Sequence, residues 1–297
     1  MFIKFTSLII PTKDRLNNLK RLVNSVGNYI NEINEIIIID SSSKKIHTEI
    51  IHCFKNFKNI KVLKSNPSIS KQRNIGIKNF NKKNKFLMFC DDDIVFKKNS
   101  LFNMNKFIEK NTNNVGYGFN LIQEETISFF EKIKKNKFFI NNGFYNTKPG
   151  VVCENGWHTK LINAKKDHST MWLSTQACIY KTEFVKNITF DENLGKYSYL
   201  EDLFFSYELS KKGVLSISHN SQYTHPNDIQ RKDLNFGIKE VVNRYKFVKK
   251  NNLNLFKFYL TILFKLLFNL IKIFSFNLNF VPKFLGNIFG LIICIIK

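Results

Sequence analysis

Apolar positions along the N-terminal half switch between a strand rhythm and a helix rhythm. FTSLIIPT (5–12) is a β-branched and apolar run stopped by Pro11. DRLNNLKRLVNSVGNYI (14–30) sets Leu16, Leu19, Leu22, Val23 and Val26 at helical spacing, with Asp14 placed to cap the helix. EIIIID (35–40) is a continuous apolar run, as in a strand buried on both faces. A helical stretch (46–57), a strand NIKVLKS (59–65), a helix opened by Ser68 (68–80) and a fourth strand KFLMFC (85–90) follow. This alternation predicts an α/β fold with parallel strands and right-handed crossovers.

Ligands of such sheets bind beyond the carboxyl ends of the strands. The polar residues expected on that rim are Thr12, Asp14 and Arg15, then Asp40 and Ser41, Asn66, and the run Asp91, Asp92, Asp93. Three adjacent carboxylates repel one another unless something positive lies between them. A divalent cation with oxygen ligands, Mg²⁺ or Mn²⁺, is the usual solution, and Mg²⁺ completes its shell with substrate phosphates. The plainer reading is a solvated acidic turn, because DDDIVFKKNSLFNMNKFIEK runs on towards a helix.

Charge narrows the partners. The chain of 297 residues carries a formal charge of +23, which favours nucleic acid, anionic lipid or phosphorylated small molecules. A non-enzymatic basic protein that binds a membrane surface or nucleic acid is the alternative reading; it accounts for the charge but not for the acidic triplet, which repels a phosphate backbone unless a metal intervenes. Five cysteines scattered singly argue against a disulfide framework or a zinc site and fit a reducing cytoplasm. The N-terminus lacks the apolar length of a secretion signal. Neither G-x-G-x-x-G nor G-x-x-x-x-G-K-[ST] occurs, which argues against a dinucleotide dehydrogenase and a P-loop NTPase.

SLIIPTKDR, EIIIIDSSS, SISKQRNIGIKN and FLMFCDDDIVF, in that order, resemble the nucleotide-sugar half of family 2 glycosyltransferases of the GT-A fold. LSTQACIYKTEFVKNITFDENLGKYSYLEDLFFSYELSKKG and HNSQYTHPND resemble the acceptor half and its closing histidine segment. The resemblance covers residues 5 to 228. It implies an inverting, metal-dependent transferase with a GT-A-like mixed or parallel sheet flanked by helices, using a nucleotide-diphosphate sugar, a UDP-sugar first of all. It puts Pro11, Thr12, Arg15, Asp40, Arg73, Asn74, Asp91 and Asp92 around the nucleotide, with Asp40 accepting from the base ring. It makes Asp93 the principal metal ligand, joined by Asp91 and His225. In YLEDLFFSYELSKKG (199–213) it makes Asp202 the catalytic base, with Glu201 orienting the acceptor or the helix. Each residue has a bland alternative: a surface helix for Arg73, a turn cap for Asp40, a loop residue for His225, simple helix capping for Glu201 and Asp202. SSS at 41–43 replaces the family's usual second acidic residue and Gly, so that turn differs.

The expected division is a glycosyltransferase domain over 1–228, with a nucleotide half (1–96) and an acceptor half (97–228), and a basic, hydrophobic tail over 229–297. Residues 120–170 show no clean period and read as a loop-rich acceptor region, where Trp157, His158 and Trp172 are candidates to stack on a sugar. From Leu253 to Lys297 no acidic residue occurs, and Lys257, Lys265 and Lys272 share one helical side. Amphipathic helices lying in a membrane interface, lysines snorkelling to headgroups, fit this pattern; packing on the domain or a homodimer interface are the alternatives. A membrane-bound tail points to a lipid-linked glycan acceptor and a cytoplasmic enzyme peripheral on the inner face of the cell membrane.

Overall fold

The computed structural model describes all residues except 125–131, 134, 196, 227–230, 276 and 297. The chain divides into two compact units, Met1–Glu124 with Leu161–Pro226, and Glu125–Lys160 with Asn227–Lys297. The stretch 125–160 of the expected acceptor half is thus grouped with the C-terminal helices, and the expected boundary at 228/229 lies outside the described residues.

In the first unit, strands and helices alternate as β1 (Thr6–Thr12), α1 (Leu16–Val26), β2 (Glu35–Asp40), α2 (Lys44–Phe54), β3 (Ile60–Lys64), α3 (Ile69–Asn79) and β4 (Phe86–Cys90). After β5 (Val95–Phe96), α4 (Ser100–Lys110) and β6 (Gly116–Leu121) come β7 (His168–Thr170), β8 (Ala177–Lys181), α6 (Thr182–Val185), α7 (Glu201–Ser210) and β9 (Leu215–Thr224); α5 (Lys137–Asn141) belongs to the second unit. The sheet order is β3-β2-β1-β4-β8-β6-β9-β5, with β7 paired to β9. The first four strands are parallel, as expected; β8 enters antiparallel to β4 and makes the sheet mixed. The continuous run of β2 is buried twice over. Ile36 and Ile38 join one core with Leu19 and Leu22 of α1, and Ile37 and Ile39 join the other with Ile77 of α3 and Phe205 of α7. Gly76 brings α3 close to β1: a Cβ there would stand 2.6 Å from the Ile9 side chain.

Asp14 does not cap α1. With φ of +54° it turns back to β2, its amide donating to Ser42 Oγ (2.7 Å) and its carboxylate accepting from the Ser43 amide (3.1 Å). It ties the loop after β1 to the turn after β2. The α-helix ends with its last apolar position, Val26, at Gly27 (φ of +63°), and the rest of the expected stretch tightens into a 3-10 helix, Gly27–Asn31.

The second unit holds α5 and three long helices, α8 (Leu234–Lys250), α9 (Leu255–Phe274) and α10 (Val281–Ile296). Gly237 of α8 meets Gly286 of α10 at backbone contact; a Cβ on Gly237 would stand 2.5 Å from the Lys283 carbonyl. The lysines do not point outward as expected. Lys265 Nζ donates to Glu240, Lys283 Nζ lies 3.3 Å from the same carboxylate, and Lys257 Nζ donates to Glu154 (2.6 Å). Glu240 on α8 and Glu154, both N-terminal to the acid-free stretch that starts at Leu253, draw its lysines inward. Trp157 and His158 are half-buried and engaged by neighbours. The indole stacks on Phe258 (6.0 Å between rings), and Arg244, whose guanidinium donates to the Gly156 carbonyl, lies 3.1 Å from His158 Nδ1. Burial and the Arg244 charge push His158 well below the ordinary histidine range. Trp172 is buried in the first unit, whereas Trp157 and His158 are half-buried.

Burial by itself raises the Glu240 carboxyl, but Lys265 and Lys283 outweigh it and hold it at about 2, below its ordinary 4.5. A depressed carboxylate contributes stability that is present above pH 4.5 and is lost as pH falls towards 2. That shift corresponds to about 3 kcal/mol. Glu240→Gln is therefore expected to be less stable than wild type by about that amount at pH 7, with the gap closing near pH 2. Denaturant unfolding followed by helical circular dichroism at the two pH values measures it; a gap independent of pH would remove the ion-pair account.

Candidate active site

The carboxyl ends of β1, β2 and β4 and the end of β9 place most of the expected residues on one rim of the first unit. At the end of β1, Thr12 Oγ1 donates to Asp92 Oδ2 (2.6 Å). Arg15, half exposed, donates through Nη1 to Asp93 Oδ2 (2.8 Å) and reaches Asp92 Oδ1 at 3.4 Å. Just beyond β9, His225 Nε2 approaches Asp93 Oδ1 to 3.1 Å, off the hydrogen-bonding direction, which leaves that buried oxygen without a directed donor. One ligand atom each from Asp91, Asp93 and His225 lies within 4.8 Å of the others. An orphaned carboxylate oxygen in a set of two carboxylates and an imidazole suits a hard divalent cation.

The three aspartates differ in charge behaviour. Burial pushes Asp92 up to about 7, the neighbouring carboxylates adding to it and Thr12 and Arg15 opposing it. Burial also raises Asp91, against Arg73. Asp93 goes the other way: burial would raise it, but His225 and Arg15 hold it below the usual range, and His225 is raised in return. Asp93 is the member of the triplet held below the usual range, and its Oδ1 is the oxygen without a directed donor.

Arg73 is not a surface residue. It is 1% exposed, near the start of α3, which Ser68 caps by accepting from the Lys71 amide. Its Nη2 donates to Asp91 Oδ1 and its Nη1 to Glu201 Oε1, both at 2.7 Å. The guanidinium also lies 5.5 Å from the centre of the Phe190 ring. One buried cation thus joins the acidic triplet to the first turn of α7. Burial, with the adjacent Asp202 charge adding to it, raises Glu201 to about 7 despite Arg73. Leu200, at φ of +76°, turns the chain so that Glu201 and Asp202 open the helix. Asp202 is half-buried, and its Oδ1 accepts from the Leu203 amide (2.8 Å).

Two expected nucleotide contacts are occupied elsewhere. Asp40 is fully buried; Oδ1 accepts from the Ser42 amide and hydroxyl, and Oδ2 meets His47 Nδ1 (2.6 Å) and Lys64 Nζ (3.6 Å). It braces the Ser41–Ser43 turn and offers no free oxygen to a base ring. Asn74 is spent on the segment before α7: Nδ2 donates to the Phe190 carbonyl and Glu192, both at 2.9 Å, and its oxygen accepts from the Phe190 amide. Pro11 lies buried in β1 opposite Ile39. Gln72, not among the residues expected at the site, fastens the rim: Nε2 donates to the carbonyls of Thr12 (2.9 Å) and Ile39 (2.7 Å). Its signal was a polar residue on the face of α3 turned to the sheet.

Residues 7–188 match the sequence model of glycosyl transferase family 2. The minor teichoic acid biosynthesis protein GgaA of Bacillus subtilis (strain 168) is 37% identical over 101 residues. That match covers 32% of this chain and only 23% of GgaA. Among solved structures, S. aureus TarS 1-349 in complex with UDP-GlcNAc is similar at a TM-score of 0.54 and 18% identity, over 82% of this chain and 66% of that one. GalNAc-T7 with UDP, GalNAc and Mn²⁺ is similar at a TM-score of 0.57 and 15% identity, over 86% of this chain and 56% of that one. At such identities the structures speak for the fold, which is GT-A. The family match covers more than half of the sequence, and the chain belongs to glycosyl transferase family 2.

Proposed function

We propose that the chain transfers a sugar from a nucleotide-diphosphate sugar, UDP-linked, to a hydroxyl of a lipid-linked glycan, with inversion at the anomeric carbon and help from Mn²⁺ or Mg²⁺. The observation that carries this reading is Arg73, which holds Asp91 and Glu201 on its two arms and so sets a donor-side acidic cluster against an acceptor-side helix start. The UDP-GlcNAc of the TarS complex and the Mn²⁺ of the GalNAc-T7 complex favour the same donor and metal here. The teichoic acid role in GgaA's name favours a surface-polymer acceptor, and with it a cytoplasmic enzyme at the inner face of the membrane.

Asp91, Asp93 and His225 are the residues that would hold the metal, which when bound supplies positive charge beside the departing diphosphate. Thr12 and Arg15 line the nucleotide side and steady Asp92. Asp202 takes the acceptor proton as the hydroxyl oxygen attacks C1, and the C1–O bond to the diphosphate breaks on the opposite face. Glu201, clamped by Arg73, fixes the helix start that presents Asp202. The remaining acceleration comes from positioning and fixed charge.

Titration calorimetry with UDP in the presence and absence of Mn²⁺ tests the donor site. Binding is expected with the metal and is expected to weaken at least about tenfold without it. A panel of UDP-, GDP- and CDP-sugars, followed by hydrolysis, then names the donor. No binding of any nucleoside diphosphate under either condition would overturn the reading.

A further inference from the structure

Helices α9 and α10 have their polarity inverted relative to a helix bathed in water. The exposed residues of α9 are Leu255, Phe256, Leu263, Leu267, Ile271 and Phe274. Those of α10 are Pro282, Leu285, Phe289, Ile292, Ile295 and Ile296. None is polar. Every described polar residue of the two helices is instead buried or half-buried: Lys257, Thr261, Lys265, Asn269, Lys272, Lys283 and Asn287. Each has an internal partner. The lysines meet Glu154, Glu240 or the ring of Phe280, and Asn269 donates to Asn287, which donates to the Gly237 carbonyl (2.9 Å). Phe256, Phe274 and Ile296 are 75%, 79% and 80% exposed, far beyond the scattered apolar exposure of an ordinary surface.

We infer that this outer face of α9 and α10 is seated in the acyl region of one bilayer leaflet, held there by apolar contact and not by attraction of lysines to headgroups. The inference deepens the reading above, since it supplies the membrane at which a lipid-linked acceptor would be met. Two observations choose lipid over a second copy of the chain. The small-residue face of α10, Gly286 and Gly290, where helices can pack backbone to backbone, is already filled by Gly237, Ile238 and Val241 of α8. What remains outside is bulky Leu, Ile and Phe with no hydrogen-bonding group to set the register of a protein interface. The surface runs the full 20 residues of α9, about 30 Å, as a helix lying along a membrane would use it. The stretch Leu278–Ile296 is also long and apolar enough to cross a membrane by length and composition. Its glycines are engaged by α8, and leaving that contact to span would strip Asn287 and Glu240 of each other.

Sedimentation of the full chain with vesicles of phosphatidylcholine alone, at low and at high salt, tests this. The chain is expected to bind neutral vesicles equally in both. A double variant, Leu263→Glu with Leu267→Glu, is expected to partition at least about tenfold less, since each charge would enter hydrocarbon. Both positions are exposed, so circular dichroism should stay as in wild type. Donor hydrolysis should also persist, which separates the two readings: lost hydrolysis throughout would sink the transferase reading and leave this one standing. Binding restricted to anionic vesicles and abolished by salt would overturn the inference in favour of headgroup attraction. A dimer by light scattering that Leu263→Glu dissolves, without vesicle binding by wild type, would overturn it in favour of a second copy.

Discussion

Asp93→Asn is expected to lower sugar transfer about a thousandfold, an effect on the order of 4 kcal/mol. The substitution keeps the shape and removes the charge. Asp93 is the carboxylate held below the usual range, and its Oδ1 is buried near His225 without a directed donor. Its other oxygen is bound by Arg15, which an amide oxygen still accepts from, so folding should survive. Asp92→Asn is the informative contrast. Burial raises Asp92 to about 7, so its charged form is disfavoured, and its contacts run to Thr12 and Arg15. It should lose about tenfold or less, in line with one hydrogen bond of ordinary strength. Steady-state rates with saturating Mn²⁺ and donor decide the matter. If Asp92→Asn is the more damaging of the two, the assignment of the cluster around Asp93 fails.

The parts of this arrangement that could be read from the sequence are those encoded locally. β1, β2 and β4 are each a short, mostly apolar run followed by polar residues, so strand and rim were legible together, and the acidic triplet announced itself by repulsion. Partners distant in sequence were not legible. Arg73 reads as one basic residue on a polar helix; its meaning lies in Asp91, 18 residues away, and Glu201, 128 residues away. Asp40 was expected to face a ligand because it ends a strand, but His47 and Lys64, brought over by α2 and β3, close it off. The mixed sheet depends on β8 entering beside β4, a choice no run of residues displays. The tail misled in an instructive way. Its lysine spacing was real, but the direction of the lysine face depended on Glu240 and Glu154, which lie before the acid-free stretch and outweigh the pull of water.

Asp202→Asn is expected to lower kcat by about two to four orders of magnitude while leaving the affinity for donor and UDP near wild type. Glu201 and Asp202 are adjacent, and the geometry separates their duties. The Glu201 carboxylate is engaged by Arg73 at 2.7 Å, and taking a proton there would break a buried ion pair. Asp202 is half-buried in the first turn of α7, with one oxygen bound to the Leu203 amide. The amide of Asn can still accept from the Leu203 amide but cannot accept a proton from a hydroxyl, so the loss falls on chemistry and not on binding. Glu201→Gln keeps an acceptor for Arg73 and should cost less in kcat than Asp202→Asn. Single-turnover rates and donor affinity, measured side by side for the two variants, read the split. Should Glu201→Gln prove the slower enzyme while Asp202→Asn turns over like wild type, the base is Glu201, and the ion pair with Arg73 must open during each cycle.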